Sequence, residues 1–359
     1  MLKINSLQSI SLDIIRLFAA QLVLVGHLLS FCSLAKLPYI QNSGVVLFFI
    51  LSGLIISYTI FYKSQTNYSF QEFFIERFAR IYSGLVPSLL FILLIDFIIQ
   101  NINPNYYQYT NAYNIKTFLG NLLMLQDYHY IGHFFVNIIP KSLHITSFGS
   151  GRPLWTLAIE WWLYMFLGMI YFFYVRSSSR KYVLLMLLVS VVPLWNLVYG
   201  RGNGLSVVWI LGIIVTMFVF KKQFFPKTLS LYFSVTTLVF ALFVLIYHEK
   251  AYNIHFAFLI ACSINFMLLF QQGNIKLYQG AKSKLIKFVA NYSFTLYLIH
   301  YSLIELILSL ELDINKYLLA FSCFILANIT AAFIAYFTEM KHKKLAVKLK
   351  ILIGKKNVK

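Results

Sequence analysis

Ten apolar runs divide the chain: residues 10–32, 44–62, 81–99, 154–175, 182–199, 204–220, 228–247, 254–270, 288–310 and 316–338. About 20 apolar residues in a helix cross a hydrocarbon core about 30 Å thick. Inside that core every backbone N–H and C=O has to bond within its own segment, which makes each run a helix. The pattern predicts an all-α fold, a polytopic transmembrane helical bundle with about ten spans. Charged residues make up only 11% of the chain, against about 25% in a soluble domain. Disordered, collagen-like and disulfide-scaffold classes are excluded on the same grounds.

The charges set the orientation. The chain carries 30 Lys and Arg against 11 Asp and Glu, a formal charge of +19. With a cytoplasmic N-terminus, the inner segments hold 22 basic residues, the outer segments hold seven, and Arg16 lies inside the first span. Basic residues collect on the cytoplasmic side of membrane proteins, so both termini are placed in the cytoplasm. The charge therefore marks topology, and no nucleic-acid partner is inferred from it. The first span carries Asp13 and Arg16 with no small-residue cleavage site after it, and is expected to be retained. Residues 1–340 read as one transmembrane domain with an outside loop at about 101–153. Residues 341–359 form a basic cytoplasmic tail expected to lie against anionic headgroups. Within the loop, residues 117–125 are apolar but too short to span, which predicts a membrane-surface or re-entrant segment.

Polar residues inside the runs are the functional candidates, because a mid-bilayer charge costs about 2.5–3.5 kcal/mol on insertion scales. They are Asp13, Arg16, His27, Asp96, Glu160, His300 and Glu305, with Glu339 at a helix end. Arg16 and His27 are eleven residues apart, three turns plus about 20°, and share a helix face with Asp13. That face is either an Asp13–Arg16 pair with one hydrogen-bonded histidine, or a site. Ser52 and Gly53 let another helix or a ligand approach closely, close packing being the simpler meaning. Arg77 and Arg80 lie one helical turn apart and either clamp a phosphate or serve topology alone. Thr156, Glu160 and Tyr164 form one polar stripe, and Ser293, Tyr297 and His300 another. Glu160 lies at a depth compatible with His27, either as its partner or in an interhelical hydrogen bond. His129 and His133 have an i, i+4 spacing but no acidic or cysteine partner nearby. With His144 they read as solvated loop residues, so no metal site is assigned. Cys32, Cys262 and Cys323 have neither metal-ligand nor redox spacing.

Taken in order, these elements resemble the acyltransferase-3 family of bacterial integral membrane acyltransferases. The resemblance rests on Arg16 and His27, and on Gly-Val-x-x-Phe-Phe-x-x-Ser-Gly at 44–53. Arg77 and Arg80, Leu-Trp-x-Leu-x-x-Glu at 154–160, Ser-x-x-Leu-Tyr-Leu-x-His at 293–300, and Glu339 complete it. Val46, Leu54, Ser83 and the Met340–Lys341 pair depart from the usual pattern. A C-terminal hydrolase-like domain, which some members carry, is not expected here. The resemblance implies a multi-pass enzyme of the bacterial cytoplasmic (inner) membrane, a glycan O-acetyltransferase in type. It would move an acyl group, acetyl by family frequency, from cytoplasmic acyl-coenzyme A to a hydroxyl of a cell-surface or lipid-linked glycan such as O-antigen. Acyl-CoA is then a co-substrate, with no permanently bound cofactor.

On this reading His27 is the general base and Glu160 fixes its tautomer. Arg77, Arg80 and Arg16 receive the donor phosphates. Asp13, Ser52, Trp155, Tyr297 and His300 support the site. Aromatic residues near the outside loop would stack on sugar faces. Direct transfer and an acyl-histidine relay both fit. The competing class is a non-acyl glycan membrane protein, an oligosaccharide polymerase or a flippase, which does not predict the Arg16–His27 and Arg77–Arg80 spacings. A reporter fused after Lys359 should read cytoplasmic, and one in the 101–153 loop extracytoplasmic. Two reporters on the same side would overturn the charge argument.

Overall fold

The computed structural model describes residues 2–34, 40–126, 145–177, 182–198, 204–221, 225–247, 252–272 and 281–353. These contain twelve α-helices and no strand: α1 (Ser6–Phe31), α2 (Ile40–Lys63), α3 (Phe70–Ile102), α4 (Ile115–Leu122), α5 (Leu154–Met169), α6 (Val183–Val198), α7 (Leu205–Val219), α8 (Lys227–Tyr247), α9 (Ile254–Phe270), α10 (Ala281–Ser309), α11 (Lys316–Phe337) and α12 (His342–Leu352). Each of the ten apolar runs lies on a helix. Seven helical segments are long and apolar enough to cross a membrane, whereas Val183–Leu194, Leu205–Val219 and Ile254–Phe270 are shorter apolar helices. The chain is an all-helical membrane protein.

Two boundaries differ from the sequence reading. Helix α3 begins at Phe70, well before the apolar run at 81, so Arg77 and Arg80 stand on its first turns rather than in a loop. The segment 70–80 is polar enough to leave the hydrocarbon yet contains no helix breaker, so the helix continues through it. The apolar stretch at 117–125 forms the short α4, whose N-cap Asn114 accepts a hydrogen bond from the Thr117 N–H.

The chain forms two compact units, each built from separated stretches. The first comprises Met1–Val23, Pro38–Ser69 and Asn196–Ala290. Here α2 packs along α7, and α9 packs on α2, α7 and α8. Glycines bring α2 and α7 into backbone contact. A Cβ built on Gly53 would lie 2.0 Å from the Trp209 carbonyl oxygen, and one on Gly212 would lie 2.1 Å from that of Ile50. Beside this contact the Ser57 hydroxyl bonds the Thr216 hydroxyl at 2.9 Å. Close packing is thus what Gly53 does, as its position next to Ser52 suggested.

The second unit comprises Leu24–Leu37, Phe70–Trp195 and Asn291–Lys359. The segment between α3 and α5 is tied down by side chains. Tyr82 Oη donates to the Leu122 carbonyl, Trp162 Nε1 to Met124, and Gln126 Nε2 to Leu154. Asn121 donates to the Thr146 carbonyl and accepts from the Phe148 N–H. The loop's return then delivers Ser150 to Asp96, a carboxylate with no exposed surface. Asp96 accepts from both the N–H and the hydroxyl of Ser150, and Ser150 Oγ lies 2.7 Å from Ser302 Oγ on α10. Gly149 makes this possible: its φ is +51°, and a Cβ there would sit 1.8 Å from Asp96 Oδ2. At the other end α12 packs on α3 through Ile75, Ala79 and Ala346. Gly53→Leu should cost at least about 1–3 kcal/mol through overpacking, read as a lower melting temperature of the purified protein. An unchanged melting temperature would contradict the close approach.

Candidate functional site

The second unit places two histidines side by side. His27, on the last turns of α1, and His300, on α10, have ring centroids 5.3 Å apart with the planes tilted 33°. Tyr301 meets His27 edge-on at 5.3 Å and also meets Phe31 edge-on at 5.0 Å. His27 is half-buried, and His300 is 1% exposed.

The surroundings of His300 define its tautomer. Its Nδ1 faces the carbonyl oxygens of Tyr297 at 2.8 Å and Leu296 at 3.1 Å. A carbonyl oxygen only accepts, so Nδ1 carries the proton and donates. Nε2 is left with its lone pair, buried and without a hydrogen-bond partner among the described residues. A buried acceptor without a donor costs about 1–3 kcal/mol, and a donor from a bound molecule would remove that cost.

The two sequence stripes meet beside this pair. Thr156 Oγ1 and Tyr297 Oη lie 2.6 Å apart, joining α5 to α10. Trp155 is buried on the same turn. One turn further along α5, Glu160 accepts a hydrogen bond from Tyr164, within the same stripe. The ring that faces His27 is the imidazole of His300.

Beyond Tyr301, Glu305 is 5% exposed and accepts from Tyr106 Oη at 2.7 Å and Tyr109 Oη at 2.5 Å. Burial, followed by the hydrogen bond to Glu305, pushes both phenols above their ordinary range. They therefore stay protonated and keep donating. These loop tyrosines turn inward to satisfy a carboxylate, where the sequence reading had offered the loop's aromatic rings to sugar. The residues around Asp96 and Glu305 went unassigned because nothing local in the sequence joins Ser150 to Asp96 or Tyr106 to Glu305. Their signal in the sequence was two carboxylates inside apolar runs, near the ends of those runs.

At the N-terminal end of α3, Arg80 Nη1 lies 2.9 Å from Glu339 Oε1. Glu339 has no exposed surface. Its other oxygen accepts from the N–H of Thr295 at 2.9 Å and from its hydroxyl at 2.7 Å. The Arg80 guanidinium also lies over the Phe294 ring, 5.7 Å from its centroid. Arg80, read as half of a phosphate clamp, is thus bound to an internal carboxylate. Arg77, one turn earlier, has a buried Nε without a hydrogen-bond partner and no ion pair among the described residues. Asp13, Arg16 and Ser52 belong to the first unit. There Arg16 pairs with Asp13 at 3.1 Å, and Ser52 Oγ accepts from Trp209 Nε1 at 3.1 Å. His129, His133 and His144 lie outside the described residues.

A family model described as an acyltransferase domain matches residues 9–337, nearly the whole chain. The chain belongs to the acyltransferase-3 family. Neither a curated protein nor a solved structure matches it. Within this acyltransferase-3 chain, Arg80→Ala would strand the Glu339 carboxylate and should cost about 2–3 kcal/mol, whereas Arg77→Ala should leave the melting temperature near that of the parent. Equal melting temperatures for the two variants would show that the ion pair carries no stability.

Proposed function

We propose that this chain transfers an acyl group, acetyl in the first instance, from acyl-coenzyme A to a hydroxyl of a cell-surface or lipid-linked glycan at the bacterial cytoplasmic membrane. The observation that carries the reading is the His27–His300 pair in a chain of an acyltransferase family. Imidazole titrates near neutral pH and suits proton transfer to and from a hydroxyl.

On this proposal the acceptor hydroxyl donates to His27, and its oxygen attacks the thioester carbonyl. The C–O bond forms, the C–S bond breaks, and the proton held by His27 passes to the departing thiolate, giving coenzyme A and the ester. The free lone pair on His300 Nε2 accepts a donor of the bound acceptor beside His27 and so holds the reacting hydroxyl against the His27 imidazole. His300 is thereby a positioning residue. Glu160, with Tyr164, supplies negative charge behind the Thr156–Tyr297 contact and favours the imidazolium that forms during transfer. Arg77 and Arg80 bind donor phosphate, Arg77 with a guanidinium that no carboxylate claims among the described residues and Arg80 with the edge that Glu339 leaves open. Arg16, held by Asp13, is a third cationic candidate for the donor.

Membranes supplied with labelled acetyl-coenzyme A and an endogenous glycan test the reading. His27→Ala should remove label transfer by about 10²–10⁴-fold at unchanged protein level. Near-normal labelling would sink the assignment. His300→Leu should lower the maximal rate while leaving the half-saturating donor concentration in place, and Glu160→Gln should follow the same pattern more weakly. Arg77→Lys should act in the opposite sense, raising the half-saturating donor concentration about tenfold, because an ammonium cannot reproduce the two-pronged phosphate contact. Superimposable donor curves would return Arg77 to topology alone.

A further inference from the structure

A cavity of about 410 Å³ lies where α12 meets α3, and three lysines border it: Lys341, Lys344 and Lys348. Lys344 and Lys348, four residues apart, share one face of α12, and Lys341 is the residue that caps its start. None has an ion-pair partner among the described residues, although Lys350 on the same helix pairs with Glu76 at 2.9 Å. No carboxylate lines the cavity. Its wall is apolar, contributed by Val86 and Pro87 from α3, Phe337 from the end of α11, and Leu345 from α12. Val86 and Phe337 are exposed hydrophobic side chains on helices long and apolar enough to cross a membrane. The cavity therefore opens toward lipid on one side and, on the other, toward ammonium groups that no carboxylate neutralises among the described residues, that of Lys341 lying over the Phe337 ring at 5.2 Å.

The helix carrying the lysines is anchored. Ala346 packs against Ile75 and Ala79, with Leu345 and Leu349 beside them, and the Glu76–Lys350 pair fixes the last turn. The stems of Lys344 and Lys348 thus leave an anchored helix beside the apolar wall, and Lys341 stands at its start. Holding three like charges together without a counter-ion is unfavourable, and an anion seated among them removes that cost. Hydrocarbon wall and cationic rim together select a molecule that joins a phosphate to hydrocarbon chains.

We propose that this cavity is a binding site for one anionic phospholipid, its phosphate among Lys341, Lys344 and Lys348 and the start of its acyl chains along Val86, Pro87, Phe337 and Leu345. The lysine stems lie along the apolar surface while their ammonium groups reach the phosphate. Each such contact at a membrane surface adds to the attraction for an anionic headgroup, so losing all three weakens retention by about tenfold or more.

Native mass spectrometry of the full chain tests this, with the protein purified in mild detergent and offered equal amounts of phosphatidylglycerol and phosphatidylcholine. The parent should retain one phosphatidylglycerol in preference to phosphatidylcholine. The triple variant Lys341→Gln, Lys344→Gln, Lys348→Gln should lose that preference by tenfold or more, and Lys343→Gln should keep it. Val86→Trp, which fills the cavity with every charge intact, should also lose the lipid and decides the matter if the triple variant fails to fold. Equal retention of both lipids by the parent, or undiminished phosphatidylglycerol on Val86→Trp, would overturn the proposal. Displacement of phosphatidylglycerol by an equal amount of coenzyme A would overturn it too, by making the cavity a nucleotide site.

Discussion

A carboxylate surrounded by hydrocarbon has to be met by donors from its own chain, and the second unit is organised around three of them. Asp96 is met by Ser150, Glu305 by Tyr106 and Tyr109, and Glu339 by Arg80 and Thr295. In every case the donors come from a distant stretch of sequence. Leaving such a group unpaired costs several kcal/mol, more than most single packing contacts supply. These three sets of bonds therefore specify which stretches are neighbours, and apolar packing fills the space between them.

His300 departs from that economy on one nitrogen. Its Nδ1 is fully committed to two backbone carbonyls, which removes the freedom to change tautomer, while Nε2 remains bare. Rigid on one side and unsatisfied on the other, the ring is preorganised to accept. Its neighbour His27 sits in a box closed by Tyr301 and Phe31, and that box restrains ring rotation without a polar contact. Chemistry that needs one nitrogen poised and the other fixed is served by this division of labour.

The helices were legible in the sequence because hydrocarbon thickness imposes a length that composition alone reveals. Every apolar run became a helix, and the helical periodicity of Thr156, Glu160 and Tyr164 and of Ser293, Tyr297 and His300 described real faces, which meet through Thr156 and Tyr297. Partners were less legible. Depth along a helix suggested Glu160 for His27, but depth fixes only one coordinate. The rotation of each helix about its axis decides which side chains converge, and it turned the His300 ring toward His27. Arg80 shows the same gap: charge patterning could not reveal that a carboxylate far along the chain would claim it. Gly53 was readable as a contact point, whereas its counterpart Gly212 was indistinguishable from any small residue in an apolar run.

The Arg80–Glu339 pair spans about 260 residues of sequence, and synthesis proceeds in one direction. At about 5–20 residues per second, the arginine emerges roughly ten to fifty seconds before its carboxylate exists. Throughout that interval the guanidinium lacks the buried carboxylate on which it ends, and headgroup phosphates, water and the acids of its own helix are what its charge can meet. Arrival of Glu339, just after α11, exchanges those temporary partners for a permanent one. Glu339 thus acts as a latch that closes on the end of a helix inserted long before it.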